Sequence, residues 1–459
     1  MMRAMLLLLL LRRGSGGEFQ DRLAAALDAS LHKYPAVANR TEDAARYLAR
    51  VLWMRKFSVL VYEGKVVVDR RLLEGDKAAK HAAFVASAAA RGPVPNGAYF
   101  FSGDSTGRCE ADAPDHAVPS PCLVIAKVSG HAMRGVLTPN PYYEDLASWA
   151  AVRARVRGAA AARPFRDRKP VAFWRGHLAD SWHVVGDPCA AEAGNHARLA
   201  AVAAGTDRPD VLDVKCVELA QCQPRDDRAR PCPTLPYTAA MARIRDAPAL
   251  AVGGFVAREN YTDYRYLLNL PGSTAGSYSR NLNHLWAAGG VVLLWRAPFV
   301  EWYFPALAAG ATHAAVGAAD VADVVAELER KPWRVRQLLA GAARVDDELV
   351  CPACLRDYYV AALRKLRKRF KLAKMLDEPC LAELFFENAN CTGLHLVEVT
   401  HVHANRVRES RLPGRGCAAL AQLARHRCVE KGKDRRVRVR AAEHRAVKAA
   451  IFKKRKKES

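Results

Sequence analysis

The sequence predicts two doubly wound α/β domains facing a cleft. Strand-like and helix-like segments alternate in both halves of the chain, which is the pattern of parallel sheets covered by helices. The 459 residues exceed one ordinary domain, and 51% are hydrophobic, enough for two sizeable cores and too many for a disordered chain. Mean hydropathy is near neutral at -0.13, and no apolar run approaches the roughly 20 residues of a membrane helix, which excludes a multi-pass membrane protein.

Taken in order, Met1-Met2-Arg3-Ala4 and a short leucine run ending before Arg12-Arg13-Gly14 have the form of a signal or anchor segment over 1–17. Phe19, Leu23, Leu27 and Leu31 recur every four positions, and Tyr47, Leu48 and Val51 continue a helical face. Between the helical stretches of 18–90, Phe57–Tyr62 is β-like and stops at the turn signal Glu63-Gly64. Asn96–Ser102 reads as a strand ending at Gly103-Asp104-Ser105, Cys122–Lys127 as a short buried strand, and 142–157 as a helix. Lys169–Trp174 is a strand that runs into Arg175-Gly176. A helix over 195–204, a strand over 211–217 and a Cys- and Pro-rich loop over 222–236 follow.

A composition break at 247–254 is the expected linker. Beyond it come a strand at Tyr266–Leu270, a Gly-rich turn, a helix over 276–288 and strands at Val291–Trp295 and His313–Val316. Helices over 320–330, 332–343 and 354–372 complete the series. The expected organisation is an N-terminal α/β domain over 18–250, a C-terminal α/β domain over 251–375, an extension over 376–405 and a basic, disordered tail over 406–459.

Charge is concentrated in that tail, where 19 Lys and Arg face 5 Asp and Glu, a net of +14 out of the chain's +24. Contact with an anionic surface is the functional expectation for it; a lone Phe452 gives no aromatic interleaving to stack on bases, so nucleic acid is not the expected partner. The twelve cysteines include one CxxC, Cys351-Pro352-Ala353-Cys354, and a zinc ribbon would need a second. Disulfides in an oxidising lumen fit an even, widely spaced set better, with buried free thiols the open alternative for any one cysteine. Sequons at Asn39, Asn260 and Asn390 point the same way, toward the endoplasmic reticulum or Golgi.

The most informative stretch is Tyr264–Trp286. A buried strand ends at Pro271-Gly272, small residues follow and a helix is expected. Such a junction offers free backbone N–H groups and a positive dipole end to a diphosphate. On that helix Tyr278, Leu282, Leu285 and Trp286 share one face, leaving Ser277, Arg280, Asn281 and His284 toward the cleft. A solvated helix face after an ordinary turn is the competing reading.

The run Tyr266-Leu-Leu-Asn-Leu-Pro-Gly272 and the segment Val291–Leu307, with its Glu301-Trp302-Tyr303-Phe304-Pro305, resemble the protein O-glucosyltransferase and capsule-associated xylosyltransferase family, glycosyltransferase family 90. Val171–His177 is similar to that family's "FWRG" element, Phe100–Asp104 to its strand ending in aspartate, and Leu349–Tyr359 to its late Cys- and Tyr-containing helix start. The ordered matches span roughly 95 to 370. The chain departs from the family in having Ser102-Gly103 before the aspartate, His177-Leu-Ala-Asp180 after "FWRG", and a longer Gly272 loop.

The resemblance implies an inverting, metal-independent transferase of the GT-B type, with no cofactor and a UDP-sugar, UDP-glucose or UDP-xylose, as co-substrate. It implies a hydroxyl of a protein or glycan as acceptor. It makes Asp104 the general base and Arg175, Gly272, Ser277 and Arg280 donor-binding residues, with Glu301 on the donor's sugar or ribose. Two rival expectations remain: a non-catalytic lumenal glycan-binding protein, and a nucleic-acid-associated protein acting through the tail.

Overall fold

A computed structural model describes residues 2–32, 58–74, 76–102, 122–128, 135–143, 145–178, 194–218, 235–272, 279–297, 299–369, 377, 396–403 and 406–411. In chain order the early elements are α1 (Met2–His32), β1 (Ser58–Tyr62), β2 (Lys65–Asp69), α2 (Asp76–Ala90), β3 (Gly97–Ser102), β4 (Cys122–Val124), β5 (Lys127–Val128), β6 (Val136–Leu137) and α3 (Leu146–Ala162). The middle of the chain supplies β7 (Lys169–Gly176), α4 (Gly194–Asp207), β8 (Leu212–Cys216), α5 (Leu235–Asp246), α6 (Pro248–Ala251), β9 (Tyr264–Asn269), α7 (Leu282–Leu285) and β10 (Val291–Trp295). Then come β11 (Phe299–Val300), β12 (Ala314–Val316), α8 (Val321–Arg330), α9 (Pro332–Glu348), α10 (Pro352–Arg369), β13 (Leu396–His403) and β14 (Arg406–Arg411).

The chain divides into two compact units. One comprises Met1–Ala26, Ala126–Met133 and Trp149–Leu355; the other comprises Leu27–Ile125, Arg134–Ser148 and Arg356–Ser459. The boundary expected at 250/251 does not divide the sheets, because β7 and β8 belong to the same sheet as β9 and β10. The expected linker over 247–254 holds α6 and a bridge from Val252 to Cys216, and Gly253 N–H donates to the Cys216 carbonyl at 2.9 Å. A composition break marks a change of surface, whereas strand partners are chosen by crossovers that return the chain to one sheet.

The first unit carries a five-stranded sheet in the order β12-β10-β9-β7-β8, every pairing parallel. Counted along the chain this is 2-1-3-4-5, a doubly wound order. β10 (Val-Val-Leu-Leu-Trp) is a continuous apolar run, as expected where helices cover a sheet, whereas the edge strand β8 (Leu-Asp-Val-Lys-Cys) alternates. Ala172, Trp174, Tyr266, Leu268, Val291 and Leu293 pack with Leu199 and Val202 of α4, Val325 of α8 and Leu338 of α9 in one buried cluster. Phe173 packs within a separate aromatic group, stacked on Tyr264 at 3.9 Å and edge-on to Tyr261 at 4.9 Å. β5 and β11 form a small antiparallel ribbon in the same unit.

The second unit departs from the doubly wound expectation. Its seven-stranded sheet, β14-β13-β2-β1-β3-β4-β6, is antiparallel from β14 through β3 and parallel only across β3, β4 and β6. The reason is local. Tyr62 lies opposite Lys65, so only Glu63 (φ 48) and Gly64 (φ 76) join β1 to β2. Two left-handed residues make a turn whose twist matches an antiparallel pair, and a parallel return needs a dozen residues or more. Lys65–Asp69, inside the stretch read as helical, pairs as β2 because its three consecutive valines suit a pleated surface.

α2 presents Ala82, Phe84, Val85 and Ala88 as buried residues. Beside them His81 stacks on Phe101 at 3.8 Å, with its Nε2 3.3 Å from the Tyr359 hydroxyl.

Several ends follow from single residues. α3 begins at Leu146, four residues after the expected start, because Asp145 Oδ1 accepts N–H bonds from Ala147 (3.0 Å) and Ser148 (2.8 Å). Phe19, Leu23, Leu27 and Leu31 are all buried, as the four-residue spacing predicts. Among the described residues no helix is long and apolar enough to cross a membrane. The tail expected to be disordered from 406 begins instead as β14, whose Val407 lies opposite Val402 of β13.

Candidate functional site

In a doubly wound sheet ligands sit beyond the carboxyl ends of the strands, where the connections part to opposite sides. Here that point lies between β7 and β9: β7 leads outward to β8, and β9 leads the other way to β10 and β12. β7 ends in Arg175-Gly176, and β9 ends in Asn269, followed by Leu270-Pro271-Gly272. Two of the segments singled out in the sequence are therefore neighbours at the crossover.

Two polar side chains tie that crossover together. Arg198 of α4, buried above the Trp174 ring, donates from Nε to the Pro271 carbonyl (2.7 Å) and from Nη1 to the His177 carbonyl (2.5 Å). It thus fastens the segment leaving β7 to the segment leaving β9. Asn281 Nδ2 donates to the Arg175 carbonyl at 3.4 Å, bringing the turn at Arg280-Asn281 to the end of β7. Sequence reasoning missed Arg198, although it is the one long cation in the alanine-rich run of α4. It missed Asn269 too. The Oδ1 of that residue is buried at the carboxyl end of β9 with no hydrogen-bond partner among the described residues. A buried acceptor left so costs about 1–3 kcal/mol, and a ligand donor would relieve it.

Arg175 does not present its charge outward. Its Nη2 pairs with Asp213 Oδ1 at 2.7 Å, and Nη1 donates to the carbonyls of Asp213 (2.7 Å) and Trp174 (2.9 Å). The guanidinium lies 4.6 Å from the Phe173 ring centre, and a Cβ at Gly253 would fall 2.6 Å from its Nε. With 7% of it exposed, this arginine forms an inner ion pair between adjacent strands. Lys215 approaches the same carboxylate at 3.8 Å. Burial, with Asp213 nearby, pushes the Tyr264 hydroxyl up to about 12, and burial does the same to Tyr261.

The remaining expected residues fare differently. Asp104 and Ser277 lie outside the described residues. Gly272 is buried just beyond β9, and Arg280 is exposed in the turn before α7. Glu301 is buried after β11, ahead of a short 3₁₀ turn that begins at Phe304 with Tyr303 at its capping position.

The helix expected over 276–288 is, among the described residues, a single α turn from Leu282 continued by a 3₁₀ turn at Trp286–Ala288. His284 accordingly faces inward, edge-on to Tyr261 at 5.2 Å. Burial, with the charge of Arg258, pulls its pKa down to about 3, so it is neutral. The expected polar face of Ser277, Arg280, Asn281 and His284 thus loses its histidine.

Cys351 and Cys354 form a disulfide with each other, and Cys122 and Cys216 are each engaged in a separate disulfide. No described cysteine is free. Among the described residues no group of three or more His, Cys, Asp or Glu is placed to hold a metal ion. No protein-family model matches the chain, and no curated protein matches it.

Proposed function

We propose that this chain is an inverting glycosyltransferase of the GT-B type, moving glucose or xylose from a UDP-sugar to a hydroxyl of a protein or glycan acceptor without a metal. One observation carries the reading. Segments that resemble the family in order along the sequence, Val171–His177 and Tyr266–Gly272, end side by side at the crossover of a doubly wound parallel sheet, joined by Arg198. That is where such sheets take nucleotides.

In the proposed reaction Asp104, which follows β3 by two residues, takes the acceptor hydroxyl's proton while that oxygen attacks the sugar's anomeric carbon. The bond to UDP breaks on the opposite side, and the diphosphate leaves with the electron pair. Its growing negative charge is met by Arg280, by Ser277 and by N–H groups of the Gly272 loop. Arg175 acts at one remove, holding the end of β7 through Asp213. Asn269 offers its carbonyl oxygen to the donor nucleoside, and Glu301 contacts the sugar or ribose. The disulfides and the exposed Asn260 sequon support a lumenal location in the secretory pathway.

The test is hydrolysis of a panel of UDP-sugars by purified protein, with and without chelator. UDP-glucose or UDP-xylose should turn over in chelator, and Asp104→Asn should abolish turnover while deletion of 412–459 spares it. Failure to hydrolyse any donor would overturn the assignment, and loss of turnover in chelator would remove the metal-free step.

A further inference from the structure

The geometry points to Cys351–Cys354 as a thiol–disulfide exchange site that passes two electrons to and from a low-molecular-weight disulfide or thiol of the glutathione class. The exchange is separate from the proposed sugar transfer and uses none of the residues given a catalytic or donor-binding role there.

The pair occupies the sharp junction between α9 and α10. α10 starts at Pro352, which places Cys351 at its cap, and the Leu355 N–H closes the first helical bond on the Cys351 carbonyl at 2.9 Å. Each sulfur already has a partner suited to its reduced form. Cys354 N–H donates to Cys351 Sγ at 3.1 Å, the position in which an amide stabilises a thiolate at a helix start. Cys354 Sγ sits 3.3 Å from the Asp347 carbonyl, an acceptor for a thiol proton. Opening the bond therefore leaves one sulfur placed to carry negative charge and the other placed to keep its proton.

The backbone around the pair is pinned from both sides. The Trp149 indole donates to the Val350 carbonyl at 2.7 Å, and Arg153 binds Asp346 (2.8 Å) and Asp347 (2.9 Å), with Arg157 on the same two carboxylates. Both cysteines are half-buried rather than enclosed, so a small reagent can reach them.

The exchange balances without a further reactant. In the reduced pair the Cys351 thiolate attacks one sulfur of the external disulfide RS–SR, whose S–S bond breaks; the first RS⁻ leaves with the electron pair and takes a proton from water. Cys354 then gives up its proton to solvent and its sulfur attacks Cys351 Sγ, forming the internal disulfide and releasing the second thiolate. The protein dithiol is oxidised, the external disulfide is reduced to two thiols, and excess thiol drives the reverse.

Full-length protein equilibrated across ratios of reduced to oxidised glutathione, quenched by alkylation and cleaved with trypsin, tests this. Both sulfurs fall in one peptide, Val345–Arg356, which contains no other cysteine. The peptide should interconvert between disulfide and doubly alkylated forms within the glutathione range. In Cys354→Ser, Cys351 should be alkylated about tenfold faster than Cys354 is in Cys351→Ser, and should form the mixed disulfide with glutathione. A peptide oxidised at every ratio, or reduced at every ratio, overturns the proposal, as does faster reaction at Cys354. The wild-type titration decides the matter even if a serine variant fails to fold.

Discussion

The two sheets begin from similar raw material and end differently. β1 is Ser-Val-Leu-Val-Tyr and β9 is Tyr-Arg-Tyr-Leu-Leu-Asn, both short and mostly buried. β1 turns back on itself through two residues and builds an antiparallel ladder, whereas β9 is reached from β8 through α5 and α6 and pairs parallel with β7 and β10. Strand identity lies in the apolar run, and strand direction lies in the connector. Among the described residues only the second arrangement has its carboxyl ends gathered on one edge with a crossover among them.

Acid should separate the two units most. Burial pulls His284 down to about 3 and His313 to about 4 in the parallel-sheet unit, and His81 to about 3 in the mixed-sheet unit. These folded values lie below the ordinary 6.5, so the unfolded chain binds more protons between them. Stability is complete above the unfolded value and is lost as pH falls toward the folded ones. Each histidine costs about 1.4 kcal/mol per pH unit in that window. Among the described residues the parallel unit holds two such histidines and the mixed unit one. Hydrogen-exchange protection of β9 and β10 should therefore fall about twice as steeply as that of β1 and β3 between pH 6.5 and 5. Equal slopes would break the comparison.

Next in size is the inner ion pair. Asp213→Ala leaves the Arg175 charge buried beside Phe173 and should cost about 3 kcal/mol, read from denaturant midpoints. An unchanged midpoint would return Arg175 to the role of an available cation. Gly64→Val places a branched side chain at φ 76 and should cost about 1–2 kcal/mol, lost mainly from the β1–β2 pair. Lys65 and Glu398 pair at 2.8 Å across β2 and β13 in a half-exposed setting. Glu398→Gln should shift stability by less than about 0.5 kcal/mol, and less again in high salt.

Much of the fold was legible. β7, β8, β9 and β10 fall within a few residues of their expected positions, and the spacing of Phe19 through Leu31 identifies a buried helical face. The errors share one cause. The helix wheel that turned His284 toward a cleft assumed regular helix from 276, but the described turn starts at Leu282, so the face is rotated. Arg175 was expected on the donor phosphates because it falls in the segment that resembles the family's "FWRG" element. Its partner Asp213 is 38 residues away and arrives only because β8 pairs with β7 in a register that sets Phe173 against Asp213. Arg198 was invisible for the same reason, since its acceptors at His177 and Pro271 lie on segments that only the sheet order makes adjacent.

The amino-acid sequence by itself determined the positions of β7, β8, β9 and β10, the left-handed turn at Glu63-Gly64, the Asp145 cap and the cysteine spacing across the start of α10. Those features depend on residues within a few positions of one another, whose backbone preferences act before any packing. The tertiary structure alone decided the 2-1-3-4-5 order, the burial of Arg175 on Asp213 and the adjacency of Gly176 to Pro271. Each joins distant residues, and they meet only when burying both faces of a sheet selects one arrangement of crossovers from the many that local preference permits.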